Sequence, residues 1–135
     1  MTTEKKKILV ADDEPFILSA LQDTLAEAFE VYTATNGKEA IKIVEKIIPD
    51  LVILDVMMAE MDGFEACTNI KNNPVTTNIP VILLTAKGQL ADVEKGVKCG
   101  ADAYVVKPFS PAKLIEKVEE IFEKVKMRKI EKNKK

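Results

Sequence analysis

Five short apolar runs recur along the chain, at residues 7–11, 31–35, 51–54, 81–84 and 103–106. Those around Leu9, Val52 and Ile82 are apolar at nearly every position instead of alternating, the pattern of strands buried on both faces. The segments between the runs carry a helical period. Ala40, Ile41, Val44, Ile47 and Ile48 form one such stripe, and Leu114, Val118, Ile121, Phe122 and Val125 form another. Asp13 with Pro15, and Ser110 with Pro111, mark helix starts. Asn36-Gly37, Pro49, Pro80 and Gly100 punctuate the remaining joints. Strand followed by helix, five times over, predicts an α/β fold: a doubly wound, five-stranded parallel sheet of the flavodoxin-like (βα)5 type, with strand order 2-1-3-4-5.

Composition narrows the functional classes. With 135 residues and 47% hydrophobic content the chain can bury one core, and one domain is expected. The net charge of −2 opposes a dedicated nucleic-acid binder, and no direct nucleic-acid binding is expected. That charge is unevenly spread: residues 124–135 hold seven Lys or Arg against one Glu, a local +6, leaving −8 on residues 1–123. Cys67 and Cys99 have no CxxC spacing and read as two buried, reduced thiols. The apolar run after Lys5-Lys6-Lys7 is too short for a signal peptide or membrane span, so a cytoplasmic protein without a membrane anchor is expected. There is no histidine, which removes Ser-His-Asp triads, most zinc chemistry and any phosphohistidine on this chain.

In open parallel sheets the chemistry collects beyond the carboxyl ends of the strands. Asp12, Asp13 and Glu14 follow the first run, Asp55 the third, Thr85 the fourth and Lys107 the fifth. With the order 2-1-3-4-5, strands one and three are neighbours, and Asp12, Asp13 and Asp55 meet on one rim. Two like charges ~4 Å apart repel by roughly 4 kcal/mol at an effective dielectric near 20. A bound cation resolves that conflict, and carboxylate oxygens without His or Cys select Mg²⁺, with Mn²⁺ as a substitute. Taken singly, Asp13 could cap the first helix and Asp55 could close a strand. Taken together, acids, a hydroxyl and an amine on one rim form a clamp for a phosphoryl group. Asp55 is then the nucleophile, Lys107 pairs with the product and Thr85 donates a hydrogen bond to it.

Two other classes share parts of this pattern. A flavodoxin-like cofactor binder would cradle phosphate after the first strand with Ser, Thr, Gly and backbone N–H groups, where Asp12-Asp13-Glu14 would repel it. An aspartate-based phosphatase wants a second acid two residues after a nucleophile at the end of the first strand; Pro15 stands two after Asp13, and Glu14 two after Asp12.

From about Lys6 to Lys124 the chain resembles a response-regulator receiver domain of two-component, chemotaxis-regulator-like signalling. The resemblance is carried by Ile8-Leu9-Val10-Ala11-Asp12-Asp13-Glu14, Leu54-Asp55-Val56-Met57-Met58, Met61-Asp62-Gly63, Leu84-Thr85-Ala86 and the run from Gly100 to Phe109. It implies that Asp55 accepts phosphate from the histidine of a partner kinase or phosphotransfer protein, with Asp12, Asp13, Asp55 and the Met57 carbonyl around Mg²⁺. It further implies that Tyr104 turns inward behind Thr85, that the face of the fourth helix, fifth strand and fifth helix changes its preference for an output protein, and that Lys107-Pro108 is cis. Met57 and Lys87 take the positions that tune dephosphorylation, here toward a slow reaction. Ala59 departs from the family's frequent proline. The expected state is a stand-alone monomer or weak phosphorylation-dependent dimer, the alternative being a receiver cut from a longer DNA-binding regulator. Residues 1–126 are assigned to the receiver domain and residues 127–135 to a basic, disordered tail.

Overall fold

A computed structural model describes residues 5–86 and 98–133. Its elements are β1 (Lys7–Ala11), α1 (Pro15–Ala26), β2 (Glu30–Ala34), α2 (Gly37–Ile47), β3 (Leu51–Asp55), α3 (Gly63–Asn72), β4 (Val81–Ala86), β5 (Ala103–Lys107) and α4 (Pro111–Asn133). The segment expected to form the fourth of five helices falls mostly at residues 87–97, outside the described residues, as does Lys87. The helix expected fifth is therefore α4.

All strands are parallel, in the order β2-β1-β3-β4-β5. Every residue of β3 is buried, as is nearly all of β1 and β4, whereas the edge strands β2 and β5 are half-exposed. The uninterrupted apolar runs around Leu9, Val52 and Ile82 thus became the three central strands, because only those have a helix layer on both sides. On one face Leu9, Val52, Leu54 and Leu83 pack against Ala40 and Val44 of α2 and Ala66, Cys67 and Ile70 of α3. On the other, Ile8, Ile53, Ile82 and Leu84 meet Leu21 and Leu25 of α1 and Leu114, Val118 and Ile121 of α4. Each such side chain contributes roughly 1.5–3 kcal/mol on full burial.

The joints show local chemistry at work. Asn36 and Asp62 cap α2 and α3, accepting from the Glu39 and Glu65 amides at 2.8 Å, and Ser110 Oγ accepts from the Lys113 amide at 3.2 Å. The start of α1 differs from expectation: Glu14, not Asp13, is its N-cap residue, and it makes no side-chain cap bond. Asp12 Oδ1 accepts from the Glu14 amide at 2.9 Å instead, so the turn is closed by the acid before it. At the base of the sheet Lys71 Nζ reaches Asp102 at 2.9 Å and the Ile79 carbonyl at 2.7 Å, while Asp102 accepts from the Val81 amide at 2.8 Å. This pins α3 to the starts of β4 and β5.

The C-terminal end is a correction. Residues 127–133, expected as a disordered tail, continue α4 to Asn133. Between Ala112 and Asn133 there is no Gly or Pro, the Lys, Glu, Met and Arg that fill the extension are good helix formers, and cations suit a helix C-terminus. The packed stripe does fade after Val125, leaving Met127 and Ile130 exposed. Glu120 pairs with Lys117 at 3.4 Å on the exposed side of α4.

Two glycines hold the β3–α3 loop against the sheet. A Cβ on Gly37 would collide with the Met61 backbone carbonyl, and one on Gly63 would stand 2.5 Å from the Asp55 carbonyl oxygen. The Gly63 amide donates to the Val56 carbonyl at 3.0 Å, which fixes that close approach. Gly63→Ala should therefore lower stability by about 1–3 kcal/mol, since backbone rather than a yielding side chain must move. Urea melts of the two proteins measure this directly, and equal midpoints would mean that the loop is not clamped.

Candidate functional site

The rim of the sheet is set by the pleat. Residues opposite one another in parallel strands point to the same face, and every second residue returns to it. Asp55 pairs with Leu84, and Leu84 with Val105, so Asp55 and Lys107 prolong the row that faces α1 and α4. Asp12 follows Ala11 on β1 and takes the same side. Thr85 prolongs the opposite row, that of Leu83, and Tyr104 packs in the cluster facing α2 and α3. The strands run slightly further than expected, so Asp55, Thr85 and Lys107 lie within strands and share their rigidity.

The acids and the amine converge. One carboxylate oxygen from each of Asp12, Asp13 and Asp55 lies within 4.8 Å of the other two. Lys107 Nζ stands 3.2 Å from Asp55 Oδ2 and 3.4 Å from Asp12 Oδ2. Asp12 is fully buried and Asp55 is 5% exposed, whereas Asp13 opens to solvent. Asp55 Oδ1 also faces the Met57 amide at 3.4 Å, a long contact that orients the carboxylate weakly.

The electrostatics follow from burial and neighbours. Loss of water, then the charge of Asp12, push the Asp55 carboxyl up from 3.8 to about 6, against the lowering pull of Lys107 and the Met57 amide. Burial works against the charge on Lys107, but Asp55 and Asp12 outweigh it and hold its pKa above the ordinary value. Among the described residues, the Lys107 ammonium thus pairs with both Asp12 and Asp55. The all-oxygen donor set fits a hard divalent cation, for which the residual negative charge and the open side at Asp13 leave both need and access.

Of the residues expected at the site, Asp12, Asp13, Asp55 and Lys107 are brought together, and Thr85, 4% exposed, stands on the strand beside Asp55. Tyr104 is half-buried one strand further, on the Thr85 face, with its hydroxyl pKa raised by burial and by the nearby cysteine thiols. The Met57 side chain points largely into solvent, at 66% exposure. Lys107-Pro108 is cis, as the resemblance implied. Two features were not read from the sequence. Gly63 abuts the phosphoacceptor candidate's own carbonyl, and Phe16, 90% exposed, stands next to the rim. The signal for Phe16 was present: it falls out of phase with the Ile17, Leu21 and Leu25 stripe of α1. Phe109, Ile17 and Ala20 line an adjoining apolar cleft of about 470 Å³.

Known proteins resemble this chain in sequence and fold. The profile of the response regulator receiver domain family matches residues 8–119. The chain is 46% identical over 115 residues to "Probable transcriptional regulator ycf27" of Porphyra purpurea, covering 84% of this chain and 46% of that protein. It is 42% identical over 117 residues to the alkaline phosphatase synthesis transcriptional regulatory protein PhoP of Bacillus subtilis, covering 86% of this chain and 48% of that one. The chain thus spans about half the length of the curated relatives it matches. The structure of chemotaxis response regulator CheY4 of Vibrio cholerae superposes with a TM-score of 0.82 at 30% identity, over 87% of this chain and 98% of that one. Fold, rim and sequence agree, and the chain belongs to the response regulator receiver domain family.

Proposed function

We propose that this chain is the phosphoryl-accepting switch of a two-component system, with Asp55 as the acceptor. The observation that carries the reading is the buried Asp55 carboxylate held between Asp12 and Lys107 at the end of the central strand. An Asp55 oxygen attacks the phosphorus of a phosphohistidine on a kinase or phosphotransfer partner. The new P–O bond forms as the P–N bond breaks, and the imidazole leaves with the electron pair and takes a proton from solvent. A carboxyl pKa of about 6 leaves Asp55 mostly ionised at neutral pH, as a nucleophile must be. Lys107 follows the incoming charge, and the Thr85 hydroxyl donates to a phosphoryl oxygen. Mg²⁺ or Mn²⁺, held by Asp12, Asp13, Asp55 and the Met57 carbonyl, would compensate charge on the phosphoryl oxygens.

Receiver domains are signalling phosphoacceptors, and this chain would at most catalyse its own phosphorylation and dephosphorylation. Tyr104, sharing the Thr85 face, carries the change toward the surface of β5 and α4. Met57, a poor hydrogen-bonding group, would leave attacking water unoriented, and Lys87 would lie across the phosphate and shield it, keeping the phosphorylated form long-lived. Phe16 and the cleft beside Phe109 offer an apolar seat for a helical segment of the phosphohistidine partner. Among the described residues no helix is long and apolar enough to cross a membrane, and with two free cysteines this supports a cytoplasmic setting. A transcriptional output is the second reading, favoured by relatives that are transcriptional regulators of about twice this length.

Acetyl phosphate with Mg²⁺ should add one phosphate to the protein and none to Asp55→Asn, as read by intact mass. Labelling of that variant at the wild-type rate would exclude Asp55 as the acceptor. Asp13→Ala should weaken Mg²⁺ binding by about tenfold or more in calorimetric titration, because an entire ligand is lost, and unchanged affinity would remove Asp13 from the cation site.

Stability should also depend on pH in a defined sense. The folded Asp55 carboxyl keeps its proton to about pH 6, while the unfolded one releases it near 3.8. Between these values the folded state binds more protons, so stability falls as pH rises, by about 2–3 kcal/mol at most. Chelator-treated protein should lose this amount between pH 4 and pH 6 relative to Asp55→Asn, and saturating Mg²⁺ should abolish the difference. Parallel pH profiles for the two proteins would show that Asp55 is not strained.

A further inference from the structure

The sheet face that carries Thr85 and Tyr104 also holds both cysteines of the chain. Cys67 lies on α3 with no exposure, and Cys99 sits just before β5 at 5% exposure. They are 32 residues apart, yet Cys67 Sγ donates to the Cys99 carbonyl at 3.3 Å. Tyr104, Phe64, Met58 and Ala101 pack against the same cluster. Cys99 differs from Cys67 in access: it borders a surface cleft of about 350 Å³ together with Phe64, Glu65, Thr68 and Lys98. Burial, then the Cys99 thiol, push the Cys67 thiol far above its ordinary value, so at rest Cys67 is protonated.

We propose that Cys67 and Cys99 are a reversible disulfide site, closed by hydroperoxide and opened by a dithiol reductant, that couples redox state to the Tyr104 face. Cys99, the accessible member, attacks the peroxide. Its sulfur gains oxygen as the O–O bond breaks, giving a sulfenic acid and one water. The Cys67 sulfur then attacks the Cys99 sulfur; the S–S bond forms, the S–O bond breaks, and the Cys67 proton leaves with the hydroxyl as a second water. Two thiols are oxidised and one hydrogen peroxide is reduced. The existing contact of Cys67 Sγ with the Cys99 backbone removes the usual cost of bringing two distant residues together.

The bond would tie α3 to the turn at residues 98–100 and thereby brace the cluster on which the Tyr104 ring rests. Only the signalling consequence depends on the receiver reading of Asp55; the disulfide chemistry does not.

Folded protein is treated with a modest excess of hydrogen peroxide, quenched, and analysed by thiol titration in denaturant and by intact mass. Both thiols should disappear together, with a mass lower by two hydrogens, and dithiothreitol should restore them. The oxidised form should melt on the order of 5–10 °C higher, because the crosslink constrains the unfolded chain. The chain has no Trp and two Tyr, so Tyr32→Phe isolates Tyr104, whose emission should fall on oxidation and recover on reduction. Cys99→Ser should protect Cys67 from peroxide. Persistence of both thiols in the folded protein, stable oxygen adducts, a crosslink between two chains, or oxidation of Cys67 at the same rate in Cys99→Ser would each overturn the proposal. The lifetime of phosphorylated Asp55 is then compared in the reduced and oxidised forms. A change of several-fold supports the coupling to the switch, and an equal lifetime overturns it. Failure of acetyl phosphate to label either form would count against the Asp55 reading and leave the disulfide intact.

Discussion

Asp12 and Asp55 have almost no access to water, and they share a single ammonium group, Lys107, at 3.4 and 3.2 Å. At ~4 Å and an effective dielectric near 20, each charge pair is worth roughly 4 kcal/mol, attractive or repulsive. With Asp13 counted, one cation cannot neutralise three acids, and a buried group left uncompensated costs several kcal/mol. Burial first, and then the charge of Asp12, raise the carboxyl pKa of Asp55. Much of the architecture exists to sustain it: β3 is buried at every position, Gly63 lets the following helix close on the Asp55 carbonyl, and the α1 turn is closed by Asp12 itself.

The pleat divides the work at this rim. Asp12, Asp55 and Lys107 continue the rows facing α1 and α4, where charge would be gained and compensated. Thr85 and Tyr104 belong to the face of α2 and α3, where packing can respond. Since Thr85 is on the strand next to Asp55, one rigid β4 separates an electrostatic event from its mechanical consequence. In the phosphoacceptor reading proposed above, a change of charge on one face would become a change of shape on the other through the Thr85 hydroxyl at the strand end.

How far this was legible in the sequence depends on the range of the interactions involved. The three central strands could be read because double burial demands uninterrupted apolar runs around Leu9, Val52 and Ile82. The rim was legible because Asp12, Asp55, Thr85 and Lys107 each end such a run, and one strand order places them together. The helix start at Glu14 was misread because Asp13 is the better cap by type, while the turn is closed by Asp12 from further back. The tail was misread because charge density alone was weighed, although the absence of Gly and Pro and the helix-forming residues of 127–133 favour continuing α4. The contact of Cys67 with Cys99 has no local signature at all; it arises only when α3 lies across β4 and the chain returns to begin β5.

That cysteine contact also bears on how the face of Thr85 and Tyr104 is packed. A core packed only with branched aliphatic groups resists displacement, since each void or overlap costs about 1 kcal/mol or more. The cluster that Tyr104 packs against includes Cys67, Cys99, Met58, Met61 and Ala101 beside branched residues such as Leu54, Ile70, Val81 and Leu83, and the small or unbranched members can reshape around a moving ring at little cost. On the opposite face Ile53, Ile82, Leu84 and Leu114 leave no such freedom beneath Asp55 and Lys107. Beneath Asp55 and Lys107 the packing is stiff, whereas around Tyr104 soft groups are interleaved with stiff ones. A covalent bond between two of those soft groups therefore stiffens the one part of the core on which movement of Tyr104 depends.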